Sequence, residues 1–384
     1  MPRPVIESHL LADYCGEPHF VDRLTIDLAT AKLFHAPHPG VTERARQELL
    51  TIRDILIRTF PCASIMLTGS FSTAEGQVDI VSGVPVIRSD YDFFVVSPNF
   101  CDTLTHLAAK RLNGSLGGLA LSTHVEIGLV WERLLHQQRT TIGGAMVGGR
   151  RNLGPLLEQL PAPSAPSALL QSYRALSVAP LYPEHYARLC SKSLMRAAQA
   201  FLLDRCRGMP RRAWIGLSSI SYVKNALRPY AGFLGGDVVS TVARACDFIL
   251  GEDVEGPAIA DHARIAGMAG RMADQIAIDP SRLFALKHFL WLCRGRHAGV
   301  PRPDAGRLTL TGLRALAEAW TDGSTPAPAS LESANRALRG ICFDRIGDWT
   351  CDPVPAYTRM RSLLSSLAGF NPHRVSYGPS TKML

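Results

Sequence analysis

Two aspartates with a single residue between them, Asp90 and Asp92, stand at the head of an apolar run, Ser-Asp-Tyr-Asp-Phe-Phe-Val-Val, at positions 89–96. On a strand, residues i and i+2 share a face, so the two carboxylates point the same way with Cα atoms about 6–7 Å apart. Tyr91 and Phe93 then face the opposite side and anchor the strand. Such a pair suits Mg²⁺, which takes oxygen ligands from a few carboxylates and completes its shell with water and phosphate oxygens. Two such ions about 3.5–4 Å apart activate an attacking oxygen and neutralise a leaving pyrophosphate, with Mn²⁺ as a substitute. An isolated Asp-x-Asp at a strand edge is more often a solvated or turn-capping feature, so the chemistry rests on what accompanies it.

Two companions are present. Gly69-Ser70 follows the apolar run Ser64–Thr68. A glycine there lets backbone approach a ligand closely, and successive N–H groups can form an anion-binding nest. The Ser70 hydroxyl adds a donor for a β- or γ-phosphate, and a helix starting just beyond would strengthen the site. A third acid is expected from a neighbouring strand, and Glu126, inside Thr123–Val130, is the candidate. Alternation puts His124, Glu126 and Gly128 on one face. Glu132 and Asp79 are the substitutes for that role, and His124 alone on an apolar strand reads as a hydrogen-bonded structural residue.

The elements that must position these groups follow from periodicity. Val41–Phe60 repeats apolar residues at helical spacing (Ala45, Leu49, Leu50, Ile52, Ile55, Leu56) and is followed by Pro61. Ser64–Thr68, Asp90–Ser97 and Leu119–Val130 read as strands, and Cys101–Leu112 as a helix between the last two. The tract Pro161–Ser167 has the composition of a linker. Beyond it Tyr186–Arg205, His262–Ile276, Ser281–Arg294, Leu308–Trp320, Leu331–Arg339 and Tyr357–Leu367 are helix-like, with a soft break at Asp322–Pro328 and no internal repeat. Helix, strand, helix, strand over residues 1–160 is an α/β pattern, and a mostly α-helical domain follows over 168–384.

The order helix, strand, Gly-Ser, variable insert, Ser-Asp-Tyr-Asp on an apolar strand, then an acid within a third strand resembles the DNA polymerase β-like nucleotidyltransferase superfamily. The resemblance spans Val41–Leu135, roughly a quarter of the chain, and Gly69, Ser70, Asp90, Asp92 and Glu126 fall on the family's motif positions. It implies an α+β fold, with a small mixed sheet and helices on one side over residues 1–160 and a helical domain over 168–384 that closes over the ligands, together with two-metal phosphoryl chemistry and an NTP donor, with ATP favoured. In this reading Asp90, Asp92 and Glu126 hold two Mg²⁺ ions, and Gly69 and Ser70 seat the β/γ-phosphates. An acceptor hydroxyl attacks the α-phosphorus and expels pyrophosphate, with Glu126 placed to take its proton. Related enzymes grip the triphosphate with a Lys or Arg from the helical part, which makes Lys192 a nucleotide-binding candidate. Arg188, Lys192 and Arg196 also fit a plain solvated helix face.

This chain departs from the family in two respects. Its Phe71–Ser89 insert is longer than in compact members such as the aminoglycoside nucleotidyltransferases, and the third acid is Glu where Asp is common. Long inserts also occur in members that make cyclic or linear oligonucleotides. Three acceptor classes therefore compete: a small molecule, favoured because no RNA-binding module is visible; a nucleic-acid 3′-end, favoured by charge; and a second nucleotide. A nucleotide-sensing pseudoenzyme is the reading without turnover.

Composition bounds the rest. The 384 residues, 46% hydrophobic and 19% charged, are ordinary for a globular chain. The net charge of +8, with a pI near 9.1, suits a phosphate-handling protein. Arg88, Arg150-Arg151 and Arg211-Arg212 are short basic features that read equally well as exposed charge. Nine cysteines without a C-x-x-C pair suggest neither a disulfide framework nor a zinc site. The apolar stretches are strand-sized against the roughly 20 residues that cross a bilayer, and the start of the chain does not read as a signal peptide. A cytoplasmic protein with no membrane partner is expected.

Overall fold

The computed structural model describes residues 25–36, 38–98, 111, 112, 114–132, 144–150, 152–159, 164–207, 209, 214–252, 254–277, 305–321, 325–341, 352–368 and 374–377. Helix α1 (Pro39–Thr59) buries Val41, Ala45, Leu49, Ile52, Ile55 and Leu56, the three- and four-residue steps of one helical face. Pro at its first turn supplies a pre-set φ, and Pro61 disfavours helical backbone at Phe60, where the helix ends.

The strands are β1 (Ser64–Thr68), β2 (Val78–Val81), β3 (Val84–Ile87), β4 (Tyr91–Ser97), β5 (Val125–Trp131) and β6 (Gly144–Gly149). A short strand, β7 (Arg374–Tyr377), returns from the end of the chain. They form a mixed five-stranded sheet in the order β6-β1-β4-β5-β7, in which only β4 and β5 run parallel, and a separate β2-β3 hairpin. The hairpin occupies the insert between Phe71 and Ser89. It turns through Ser82 and Gly83, both with positive φ, and leaves Ile80, Val81, Val84 and Val86 exposed.

The sheet is covered on both faces. Ile65, Leu67, Tyr91, Phe93, Val95, Val125, Ile127 and Leu129 pack in one layer with α1, joined by Leu112 and Leu116. Met66, Val96, Val130 and Met146 point the other way, into the core of the helical elements, with Phe94 packed against them. Burial on both sides explains why these strands read as continuous apolar runs.

The helical elements are α2 (Ala165–Val178), α3 (Tyr186–Arg205), α4 (Ile220–Ala226), α5 (Gly236–Leu250), α6 (His262–Ala273), α7 (Ala305–Ala317), α8 (Pro328–Ile341) and α9 (Pro353–Ala368). None of the described helices is long and apolar enough to cross a membrane. Several expected boundaries shift. The second half of the tract read as a linker, Ala165–Ser167, is the buried first turn of α2, where Pro166 fits because its missing N–H costs no helical bond. The strand expected from Leu119 begins at Val125, because Ser122 and Thr123 bond sideways, to the Glu48 carboxylate and the Ser89 carbonyl. β7 falls within the range expected to be helical and covers the open edge of β5. The expected helices Cys101–Leu112, apart from its last two residues, and Ser281–Arg294 lie outside the described residues.

Within the helical core, His262 is 1% exposed. Its Nε2 lies 2.9 Å from the Ala317 carbonyl, which can only accept, so Nε2 carries the proton and Nδ1 accepts from the Tyr186 hydroxyl at 3.0 Å. Burial holds the imidazole below its usual value of 6.5, against the opposing pull of the Ala317 carbonyl. The unfolded chain therefore binds a proton near pH 6.5 that the folded chain refuses. The resulting stability is complete above that pH and is lost as pH falls through the lower folded value. Urea unfolding at pH 7.5 and 5.5 is expected to show a larger acid-induced loss in the wild type than in His262→Gln. Equal losses would contradict the assignment.

Candidate active site

The site is built from one row of the sheet. β4 and β5 are parallel in the register Asp92↔Glu126, and β1 meets β4 antiparallel with Thr68↔Asp92. Thr68, Asp92 and Glu126 are thus neighbours across three strands, about 4.8 Å apart per step. Because Tyr91, Phe93, Val125 and Ile127 point to the α1 layer, alternation turns Asp92 and Glu126 to the face that meets the helices. Asp90, one residue ahead of β4, is exposed, and Asp92 and Glu126 are half-buried.

Gly69 caps this row. Its φ is +67°, and a Cβ there would lie 2.3 Å from Asp92 Oδ2. A side chain is excluded by both backbone conformation and space, so the bend sits directly on the carboxylate. Gly69–Ser72 form one helical turn, in which Ser72 Oγ donates to the Gly69 carbonyl at 2.7 Å. The Ser70 carbonyl accepts from Glu75 N at 2.8 Å and Thr73 Oγ1 at 3.1 Å. Among the described residues no hydrogen bond engages the Ser70 hydroxyl, which is half-buried at the same bend.

Opposite the row lies α3. Arg188, Lys192 and Arg196 recur every four residues and so share one face. The charge of Asp90 acts on Arg188 and Lys192, and that of Asp92 acts on Lys192 and Arg196. Lys192 is crowded by protein yet remains more than a third exposed, the combination produced by the floor of a wet cleft. Lost hydration lowers its pKa first and the Arg188 charge next, to about 8, while Asp90 and Asp92 pull the other way. Arg188 falls to about 10, again chiefly through lost hydration, and Arg196 shifts in the same direction. Arg196 also donates to Gln199 Oε1 at 2.7 Å, and Gln199 in turn donates to the Leu217 carbonyl.

The remaining predicted residues separate from this cluster. Asp79, named as a substitute acid, is paired with Arg88 on the hairpin stem. Glu132 lies six residues along from Glu126, about 20 Å at the strand rise. The backbone carbonyl of His124 accepts from Tyr91 N at 2.8 Å, joining the starts of the two parallel strands. Arg150 is exposed, and Arg151, Arg211 and Arg212 lie outside the described residues.

Two carboxylates that sequence reasoning passed over hold the arrangement together. Glu75 is 3% exposed. Its Oε1 accepts from Ser219 Oγ at 2.7 Å and Ser221 N at 2.9 Å, and its Oε2 from Ile220 N at 2.8 Å and Thr73 Oγ1 at 3.0 Å. It therefore fastens the Ser70 bend to the start of α4. Glu48 on α1 accepts from Tyr91 Oη at 3.0 Å, Ser122 N at 3.1 Å and Ser122 Oγ at 2.6 Å, gripping the entries of β4 and β5 together. Neither acid stands in a motif. Glu48 reads as a polar helix face and Glu75 as loop.

Among the described residues no three His, Cys, Asp or Glu side chains are gathered as a preformed ion-binding group. What the row offers a divalent ion is the Asp92–Glu126 pair at adjacent register, with Asp90 at its mouth. Comparison with protein-family models, with curated proteins and with solved structures finds no match.

Glu75→Ala would strip four acceptor contacts from a buried junction. It is expected to lower the unfolding free energy by about 2–3 kcal/mol in urea titration, with Glu75→Gln in between. A loss within a few tenths of a kcal/mol for the alanine variant would show that the junction carries no load.

Proposed function

We propose that this chain is a nucleotidyltransferase of the polymerase β-like kind, which moves a nucleoside monophosphate from an NTP to a hydroxyl of a small-molecule acceptor and releases pyrophosphate. The observation that carries the reading is the juxtaposition of a positive-φ glycine bend with Asp92, in register with Glu126 and faced by the Lys192 side of α3.

Each group has work that its chemistry fits. The Gly69-Ser70 bend offers backbone N–H groups and a hydroxyl to phosphate oxygens. Lys192 and Arg188 neutralise the triphosphate from across the cleft, where reduced hydration strengthens charge-assisted hydrogen bonds. Asp90, Asp92 and Glu126 are hard oxygen donors of the type Mg²⁺ takes, with Mn²⁺ as substitute, and they would hold the ions. When bound, Mg²⁺ supplies neutralisation of developing phosphate charge and lowers the pKa of a coordinated hydroxyl. Glu126 would receive the proton that the acceptor gives up. The cleft between sheet and helices positions the acceptor, and positioning with charge neutralisation supplies most of the acceleration in this chemistry.

The test is direct. The protein is incubated with each NTP, singly and mixed, with Mg²⁺ and a panel of hydroxyl acceptors. Pyrophosphate is followed by a coupled assay and products by mass spectrometry. Product from NTPs alone would move the acceptor to a second nucleotide, and product only with RNA would move it to a 3′-end. Asp92→Ala is expected to abolish pyrophosphate release while circular dichroism stays native, and retained turnover would overturn the reading. Lys192→Ala is expected to raise KM for the NTP by about 10–100-fold, the worth of one charge-assisted contact, with a smaller effect on kcat.

A further inference from the structure

The arginines of the helical elements are mostly spoken for. Arg205 and Arg207 pair with Asp204, Arg271 with Asp237, and Arg264 with Asp261. Arg314 pairs with Asp274 and Glu318, and Arg336 with Glu332. Arg174 on α2 and Arg361 on α9 differ. Among the described residues neither side chain has a hydrogen bond or an acidic partner, and the charge felt by Arg174 is that of Arg361.

Their approach is fixed by packing. Tyr357, fully buried on α9, donates its hydroxyl to the Ser177 carbonyl of α2, with the Leu316 carbonyl of α7 3.3 Å from the same oxygen. Arg361 is one turn beyond Tyr357, and Arg174 is about one turn before Ser177. The clamp that seats the two helices therefore also sets two like charges within electrostatic reach of each other. A further turn along α9 comes Ser365, 6% exposed, whose hydroxyl has no hydrogen-bond partner, and Arg361 Nε is likewise buried and unpartnered. Arg174 is exposed, although partial loss of hydration lowers its pKa.

Two guanidinium groups within electrostatic reach of each other, with a buried donor and a hydroxyl left unsatisfied, form an incomplete hydrogen-bond set whose missing partner is an anion with several acceptor oxygens. We propose that Arg174, Arg361 and Ser365 form a binding site for a phosphoryl group, separate from the carboxylate row. Arginine forks match tetrahedral oxyanions in geometry as well as charge, and a dianion offsets both positive charges at once. The ligand class is a phosphate monoester or inorganic phosphate, bound between α2 and α9.

The test uses the full chain and sodium phosphate, with sodium chloride at matched ionic strength as the control for screening. Thermal unfolding is recorded for wild type, Arg174→Gln and Arg361→Lys, and phosphate affinity by calorimetry. In chloride, Arg174→Gln is expected to match or exceed the wild type in Tm, because a repulsion is removed. In phosphate the order reverses: the wild type gains, and Arg174→Gln binds phosphate at least tenfold more weakly. Arg361→Lys keeps the charge but loses the fork, and is expected to bind with intermediate affinity. A phosphate response equal in wild type and Arg174→Gln, or none in the wild type beyond that in chloride, would overturn the proposal. A phosphorylated sugar or nucleotide that competes with inorganic phosphate in the wild type would identify the monoester as the source.

Discussion

The parallel pairing of β4 with β5 is the constraint on which the molecule turns. A sheet buried on both faces has no room for charge in its middle, because an unpaired carboxylate in an apolar layer costs several kcal/mol. The acids therefore sit at the rim. Asp92 and Glu126 are the second residues of β4 and β5, and Thr68 is the last of β1. Only a parallel pair brings two strand beginnings side by side, so the pairing that buries Phe93 against Ile127 also sets Asp92 beside Glu126 at an edge that water and ligands reach. The apolar alternation inland decides which face the acids take. A one-residue slip of either strand would turn its whole apolar set to the wrong layer.

The rim is completed from elsewhere in the chain, and the connections are polar and buried. Glu48 grips the entries of the two parallel strands, and Glu75 ties the Gly69-Ser70 bend to α4. Buried Glu75 is engaged by backbone N–H and hydroxyl donors, and half-buried Glu48 adds an ion pair with Arg44 to donors of the same kinds, the condition under which a sequestered acid stabilises rather than costs. The bend thus answers to two masters: Asp92, which leaves Gly69 no space for a Cβ, and the helical elements, which hold it through Glu75.

How much of this could be read from the chain depended on whether the cause was local. Val41–Phe60 and Tyr186–Arg205 announce themselves because one helical stripe is buried, and β1 and β4 because both faces are. α5 is harder to see: Val238, Val239, Thr241 and Val242 are β-branched, and only packing overrides their preference for strands. α2 begins among prolines and serines that look like linker until its first turn is buried. β7 owes its existence to the open edge of β5, a long-range cause that no window of residues contains. The same division runs through the candidate site. Gly69, Asp90, Asp92 and Glu126 stand out by spacing on local elements. Glu48 and Glu75 act through partners 74 and about 145 residues away, so nothing nearby marks them.

The facing charges on α3 sharpen the physical picture of the cleft. Arg188 to Arg196 spans about 12 Å of helix, long enough for one end to address Asp90 and the other Asp92. If these cations existed only to cancel the acids, close ion pairing at the expense of water would serve best. Lys192 instead keeps more than a third of its surface exposed, and the hydration it does lose, with the Arg188 charge, lowers its pKa more than Asp90 and Asp92 raise it. The carboxylate row opposite keeps its own solvent contact. The cleft thus presents cations on its helical wall and carboxylates on its sheet wall. A ligand split in the same way, anionic toward α3 and cationic toward the sheet, would complement both walls, and the proposed metal-bound triphosphate is of that kind.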